Sequence, residues 1–394
     1  MKYAVCALAG ALVAAANTAA AHTRAIDLLD FDQASGYGPW SGVVADKHGT
    51  LFGTNSGGGN GPCDGGAGCG TIYSLKRPGT QGQPWTLDVL YDFQNQGDGW
   101  FPEAPVTLGP HGSLFGYPAA GSFGKVFQLV PANESWSYNV IYNFTNGSDG
   151  NLLDVIAPLV WSGKALYGIA SGGVNGCGQE GCGSVFRLMP PPAGSGSWTE
   201  KTLFSFSGKT TGGEPSSIVA AGKTLFVATD FGSGAVVEIA PAGHGSWAET
   251  VLTRFNGGDD GNAPAHLVIA GDGTIFGTAQ QSAGGGLIFE LSQSNGNWTR
   301  TDIAQISYHG YGPDSLALGP DGSLIGAVEG DVDYYAGGIF RLTSSGGSWS
   351  AQQIWNFNRG PDRNPEGVVM GLHNRLYGTL NGGDSDGGAV FELK

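Results

Sequence analysis

The chain has 394 residues, 71 of them glycine, and sets 33 acidic side chains against 18 basic ones for a formal charge of −15. That balance excludes nucleic-acid binding through a diffuse basic surface, since nothing would neutralise a phosphate backbone, and suits solubility, cation binding or a neutral or cationic partner. The glycine content alone would read as low complexity, but 10 tryptophans, 19 phenylalanines and 13 tyrosines fall at regular positions between the glycine-rich turns and exclude it.

At the N-terminus, Lys2 precedes an apolar run that ends in Ala19-Ala20-Ala21. This predicts a secretory signal over residues 1–21, cleaved before His22, with residues 22–394 as one domain. The run is too short to span a bilayer, and no later stretch is long and apolar enough, so a secreted or extracytoplasmic chain is expected. Cys6 leaves with the signal. The remaining Cys63, Cys69, Cys177 and Cys182 form two local pairs, which an oxidising compartment would join as Cys63–Cys69 and Cys177–Cys182. A four-cysteine zinc or iron-sulfur site is the alternative, although the pairs lie in nonadjacent repeats and lack two-residue spacing.

One pattern then recurs seven times. Its opening is LFG from Leu51, LFG from Leu114, LYG from Leu166, LFV from Leu225, IFG from Ile275, LIG from Leu324 and LYG from Leu376. Its ending is IYSL, VFQL, VFRL, VVEI, IFEL, IFRL and VFEL, beginning at Ile72, Val126, Val185, Val236, Ile288, Ile339 and Val390. Successive openings are 63, 52, 59, 50, 49 and 52 residues apart, a period of propeller blades. Each unit offers four strands: one after a Gly/Pro-rich approach, the LFG string after a tight turn, the VFEL string, and a last strand opened by tryptophan. Trp85, Trp136, Trp198, Trp247, Trp298 and Trp349 take that last place, where packing between blades explains them better than sugar stacking.

The mature chain begins with AIDLLDF (Ala25–Phe31), which matches a fourth strand, and ends after a third. The expected fold is therefore all-β: a seven-bladed β-propeller with four-stranded antiparallel blades, closed by one N-terminal strand joining three C-terminal strands. An open solenoid is the runner-up, but its ends would not complement one another.

The signature LFGT-glycine-rich-CGTIY at Leu51–Tyr73, LYGIASGG with CGSVFRL at Leu166–Leu188, IFGTAQQSAGGGLIFEL at Ile275–Leu291 and LYGTLNGGDSDGGAVFEL at Leu376–Leu393 resembles the GloVer repeat, found in tandem in secreted bacterial proteins with various anchors. The resemblance covers nearly the whole mature chain and departs at Val227, where glycine is usual, and in the C-terminal anchor. It implies an exported, propeller-like protein and carries over no catalytic residue.

In such blades the loops from second to third strands, and from fourth strands to the next blade, share one face. These are the longest and most varied segments, so this face is the expected binding surface. Asp149, Asp154, Asp331, Asp333, Asp384 and Asp386 lie in its oxygen-rich loops and offer the hard ligands that calcium takes, with ordinary turn capping as the plainer explanation. Trp100, Phe101, Tyr311, Tyr334 and Tyr335 depart from the shared positions and are candidate sugar-stacking rings. Glu103, Glu214, Asp259, Asp260, His266 and Glu366 complete the candidate ligand-binding set. Serine hydrolysis finds no GxSxG elbow, and the histidines show no triad order.

The resulting expectation is a monomeric binding or scaffold module for an extracellular glycan, polymer or protein, without nucleic acid. The alternative is a polysaccharide-degrading enzyme, a glycoside hydrolase or lyase, using carboxylates in the central funnel.

Overall fold

Alternating side chains and glycine-rich turns build short antiparallel strands, which the computed structural model arranges as seven four-stranded blades around an axis. It describes residues 25–394 except 81, 120, 122, 134, 153–154, 174–176, 178–180, 193–195, 209–211, 282–284, 308–311, 330–336, 358–363 and 382–386. The proposed signal segment thus lies outside the described residues. Among the described residues, no helix is long and apolar enough to cross a membrane.

The chain opens with β1 (Ala25–Asp30) and then enters blade 1, made of β2 (Val44–Ala45), β3 (Leu51–Asn55), β4 (Thr71–Lys76) and β5 (Thr86–Asp92). Blade 2 comprises β6 (Thr107–Leu108), β7 (Leu114–Gly116), β8 (Lys125–Ala132) and β9 (Ser135–Asn143). In blade 3 these are β10 (Val160–Ser162), β11 (Ala165–Ala170), β12 (Ser184–Met189) and β13 (Thr199–Ser205). Blade 4 follows with β14 (Pro215–Ala221), β15 (Thr224–Thr229), β16 (Ala235–Gly243) and β17 (Ser246–Arg254). Blade 5 has β18 (Asn262–Ile269), β19 (Ile275–Gln280), β20 (Gly286–Ser294) and β21 (Asn297–Ile306). Blade 6 has β22 (Ala317–Leu318), β23 (Leu324–Val328), β24 (Gly338–Ser345) and β25 (Ser348–Asn356). Blade 7 takes β26 (Pro365–Met370), β27 (Leu376–Leu380) and β28 (Ala389–Leu393), with β1 as its outer strand.

The closure expected from the two chain ends is therefore present. β1 pairs antiparallel with β28, Ala25 opposite Leu393 and Asp30 opposite Ala389. The first strand of each blade lies nearest the axis, and neighbouring inner strands pack on one another, β14 on β18, β22 on β26 and β2 on β26 among them. Several inner strands are shorter than the sequence suggests. Only Thr107–Leu108 of Ala104–Leu108 joins the ladder, because upstream residues bond across blades, as where Thr54 Oγ1 donates to the Ala104 carbonyl at 3.1 Å.

Two recurring contacts hold the disk. Fourth-strand tryptophans meet the aromatic of the preceding blade's LFG string edge-on: Trp136 with Phe52, Trp198 with Phe115, Trp298 with Phe226, Trp349 with Phe276 and Trp85 with Tyr377, at 5.5–6.2 Å between centroids. This is the inter-blade role expected of them. Inside every blade but the fourth, a ring from the third strand lies against the LFG glycine. A Cβ on Gly53 would come 2.3 Å from the Tyr73 hydroxyl, and one on Gly277 would come 2.4 Å from Phe289.

Candidate functional site

A proline that locks blade to blade positions the centre of the loop face. The glycine just before a third strand leaves room for the ring of Pro39, Pro102, Pro215, Pro264, Pro313 or Pro365 in the next blade, so that a Cβ on Gly388, Gly70, Gly183, Gly234, Gly286 or Gly337 would lie 2.3–2.9 Å from the proline Cδ. In blade 3 Leu152 takes the proline's place against Gly124. The residue before the proline is forced into the left-handed region at Phe101, Glu214, Ala263 and Asn364, with φ of 46–55°. Such backbone strain gathers where surrounding structure over-determines a position, and here it sits at the mouth of the funnel.

The residue after the lock proline defines a ring of positions around that mouth. In blade order it is Trp40 in blade 1, Glu103 in blade 2, Ser216 in blade 4, Ala265 in blade 5, Asp314 in blade 6 and Glu366 in blade 7. Asp314, Glu366, Trp40 and Glu103 consequently occupy four consecutive blades.

Asp314, Glu329 and Glu366 form a carboxylate cluster where blades 6 and 7 meet. Asp314 leads into β22, Glu329 follows β23, and Glu366 lies in β26. Both carboxylate oxygens of Asp314 are buried without a hydrogen-bond partner. Its carboxyl is pushed well above the usual range, by burial first and then by the charges of Glu329 and Glu366. Burial, followed by the Glu329 charge, raises Glu366 to about 8, with Asn381 bonded to the same carboxyl. Burial also raises Glu329, while its hydrogen bond with Glu366 pulls the other way. The directions agree: Glu366 holds a proton at neutral pH and donates it towards the Glu329 carboxylate. A smaller pair sits in blade 4, where burial and then Glu214 raise Asp230, whose N–H reaches the Glu214 carbonyl at 3.0 Å.

Of the candidates named from sequence, the structure brings Glu366 into the cluster and puts Glu103 on the same ring. Glu214 is exposed one residue before its proline, its N–H donating to the Cys182 carbonyl at 2.8 Å. His266 lies in the axial strand β18, where burial lowers it to about 4, so it is neutral at pH 7. Trp100 and Phe101 are half-buried against the core between blades 1 and 2. Asp259 is exposed, while Asp260 accepts from Asn256 and pairs with Arg300 at 3.0 Å. Asp149 closes its own loop, accepting from the Tyr142 hydroxyl, the Thr145 N–H and hydroxyl, and the Gly147 N–H. Tyr311, Tyr334, Tyr335, Asp154, Asp331, Asp333, Asp384 and Asp386 lie outside the described residues. Among the described residues, no group of three or more His, Cys, Asp and Glu side chains is arranged to hold a metal ion. Both expected disulfides are present, Cys63–Cys69 at 2.05 Å and Cys177–Cys182 at 2.14 Å.

Sequence reasoning missed Asp314 and Trp40, and read Glu329 only as part of an oxygen-rich loop with Asp331 and Asp333 that could take calcium. Superposing the units on the lock proline, rather than on the LFG string, would have aligned Trp40 and Asp314 with Glu366. Glu329 carries no comparable signal, since only the fold brings the end of β23 beside β26. A small cleft lined by Gln305, Ser307 and Gln353, between the outer parts of blades 5 and 6, lies away from these groups.

No curated protein matches the chain in sequence. Among solved structures it is similar to a Bacteroides uniformis protein assigned as a 6-phosphogluconolactonase, at 14% identity and a TM-score of 0.54 over 80% of this chain and 84% of that one. A protein from Lactobacillus plantarum is similar at 16% identity and a TM-score of 0.54, over 78% and 84%. The PQQ-bound aldose sugar dehydrogenase of Streptomyces coelicolor aligns over 94% and 98% at 13% identity and a TM-score of 0.48. At these identities the likeness is one of fold. The buried carboxylates that meet between blades 6 and 7 speak against the expectation of a pure binding or scaffold module, which is set aside. The sequence profile of the Gloeobacter/Verrucomicrobia repeat matches residues 13–231 and 223–394, and the chain belongs to that family.

Proposed function

We propose that this propeller is a hydrolase of glycosidic bonds, with its active centre on the ring of positions that follow the lock prolines and Glu366 as the general acid. The observation that carries this reading is the meeting of Asp314, Glu329 and Glu366 at the junction of blades 6 and 7, with both Asp314 oxygens buried and unpartnered. Three carboxylates crowded together cannot all ionise, so one remains a proton donor at neutral pH. Glu366 gives its proton to the leaving glycosidic oxygen as the bond to the anomeric carbon breaks. Water adds to that carbon, and its proton passes to Glu103, which holds the corresponding position beyond Trp40. Glu329 and Asp314 act as positioning residues that keep the proton on Glu366. The two disulfides suit work in an oxidising compartment, in keeping with export through residues 1–21.

The test uses the chain from His22 onward against a panel of polysaccharides, with sugar lactones as comparators, reading released reducing ends. Loss of a positioned general acid costs on the order of 100-fold or more in kcat, so Glu366→Gln should abolish most turnover while the circular dichroism spectrum and melting temperature persist. A variant that turns over polysaccharide at the wild-type rate would sink the assignment, and so would a wild type active on lactones alone.

A further inference from the structure

The mouth of the funnel is not uniformly acidic. Among the described residues six large apolar side chains are more than a third exposed, and four of them, Trp40, Phe123, Ile156 and Phe231, belong to loops of the same face in blades 1 to 4. Trp40 is 53% exposed, unlike the tryptophans that open fourth strands and are half-buried between blades. It also holds the ring position next to Glu366.

Blade 7 fixes Trp40 from several sides although the indole itself faces solvent. The Gly38 N–H donates to the Gly387 carbonyl at 3.0 Å, and the Pro39 ring fills the space above Gly388. The Ser41 carbonyl accepts from Thr379 Oγ1 at 2.9 Å, and both residues are buried. Gly42 then meets the backbone of Gly367, where a Cβ would come 3.2 Å from the Gly367 Cα. That contact lies two residues beyond Trp40 and one beyond Glu366, so it places the two side by side at one end of the axis. The indole edge lies over Gly38, whose missing Cβ leaves it room at 3.0 Å. A tryptophan left in water on so constrained a backbone loses little entropy when a flat apolar partner covers it.

We infer that Trp40 is the platform on which a sugar ring of the substrate stacks beside Glu366. This rests on the hydrolase reading above and adds to it the residue that holds the substrate. The face of a pyranose offers C–H groups to the indole, and its hydroxyls suit the carboxyl groups of blades 6, 7 and 2.

Calorimetric titration of the wild type, Trp40→Ala and Trp40→Phe tests it. The probes are hexaoses of β-1,4-glucan, β-1,3-glucan and β-1,4-mannan, and oligogalacturonate. At least one of them should bind, Trp40→Ala should weaken it by about 10-fold or more, and Trp40→Phe should stay within about 3-fold of wild type. Equal binding by Trp40→Ala, or no binding of any of the four at millimolar concentration, overturns the inference. Binding is read without turnover. A Trp40-dependent ligand that is never hydrolysed therefore sinks the hydrolase reading while leaving the platform, and Glu366-dependent hydrolysis indifferent to Trp40 does the reverse.

Discussion

Glu366 and His266 are both pushed by burial towards their neutral forms, and this makes stability depend on pH from two sides. An unfolded glutamate titrates near 4.5, whereas Glu366 in the fold titrates at about 8. Between those values the native state binds a proton that the unfolded chain has lost, so stability falls as pH rises through this window. His266 works in the opposite sense. Lowered from 6.5 to about 4, it stays neutral while the unfolded chain charges, so stability falls as pH drops across that range. Melts of wild type and Glu366→Gln at pH 5, 6.5 and 8 should show the variant losing less stability between 6.5 and 8. Parallel curves for the two proteins over that interval would remove the case for a protonated Glu366.

At the level of the strand pair, the departure from the repeat at Val227 has a steric explanation. In the other six blades the glycine of the LFG string stands opposite an aromatic: Gly53 and Tyr73, Gly116 and Phe127, Gly168 and Phe186, Gly277 and Phe289, Gly326 and Phe340, Gly378 and Phe391. The far end of the ring reaches over the glycine and fills the volume that a side chain would take. Blade 4 divides the same volume differently, with Val227 opposite Val237, and both are fully buried. Glycine and ring are thus one choice, and two valines are another. Gly277→Val alone should cost about 3 kcal/mol through overpacking, and Phe289→Val alone about 2 kcal/mol through a cavity. The double variant should cost about 2 kcal/mol less than their sum, as read by urea unfolding. Strict additivity would refute the exchange.

Across the whole molecule, β1 turns a row of sheets into a disk. Without it the edge of β28 would be open, and the packing of blade 7 against blade 1 would lose its outer layer. Removing residues 25–31 should lower the melting temperature by roughly 10 °C or more and promote association, on the scale of several kcal/mol lost from a domain of this size. Ala25 and Leu393 are ladder partners, so a two-residue turn can join the chain ends into a hairpin. A permutant joined in that way and opened between β24 and β25 should melt within a few degrees of the parent. Failure of that permutant to fold, or an unchanged melting temperature after deletion of β1, would contradict closure as the source of stability. The same closure brings blades 6, 7, 1 and 2 into one arc, and so sets Asp314 and Glu366 beside Trp40 although the chain separates them by more than 270 residues.

Repetition made the architecture legible. Seven openings, seven endings and complementary chain ends determine strand number, blade number and closure, since each follows from local periodicity and from the need to cover a sheet edge. The disulfides were legible for the same reason, each joining cysteines within one loop. The ring of positions after the lock prolines was not, because its place in the unit is marked by a proline and glycine that touch only across blades. Glu366 and Glu103 could be named as carboxylates on the right face, but whether a carboxyl keeps its proton depends on burial and on neighbours from other blades. Sequence spacing specifies neither, and only the packed disk decided that Asp314, Glu329 and Glu366 meet while Asp149 is taken up by its own loop and Asp260 by Asn256 and Arg300.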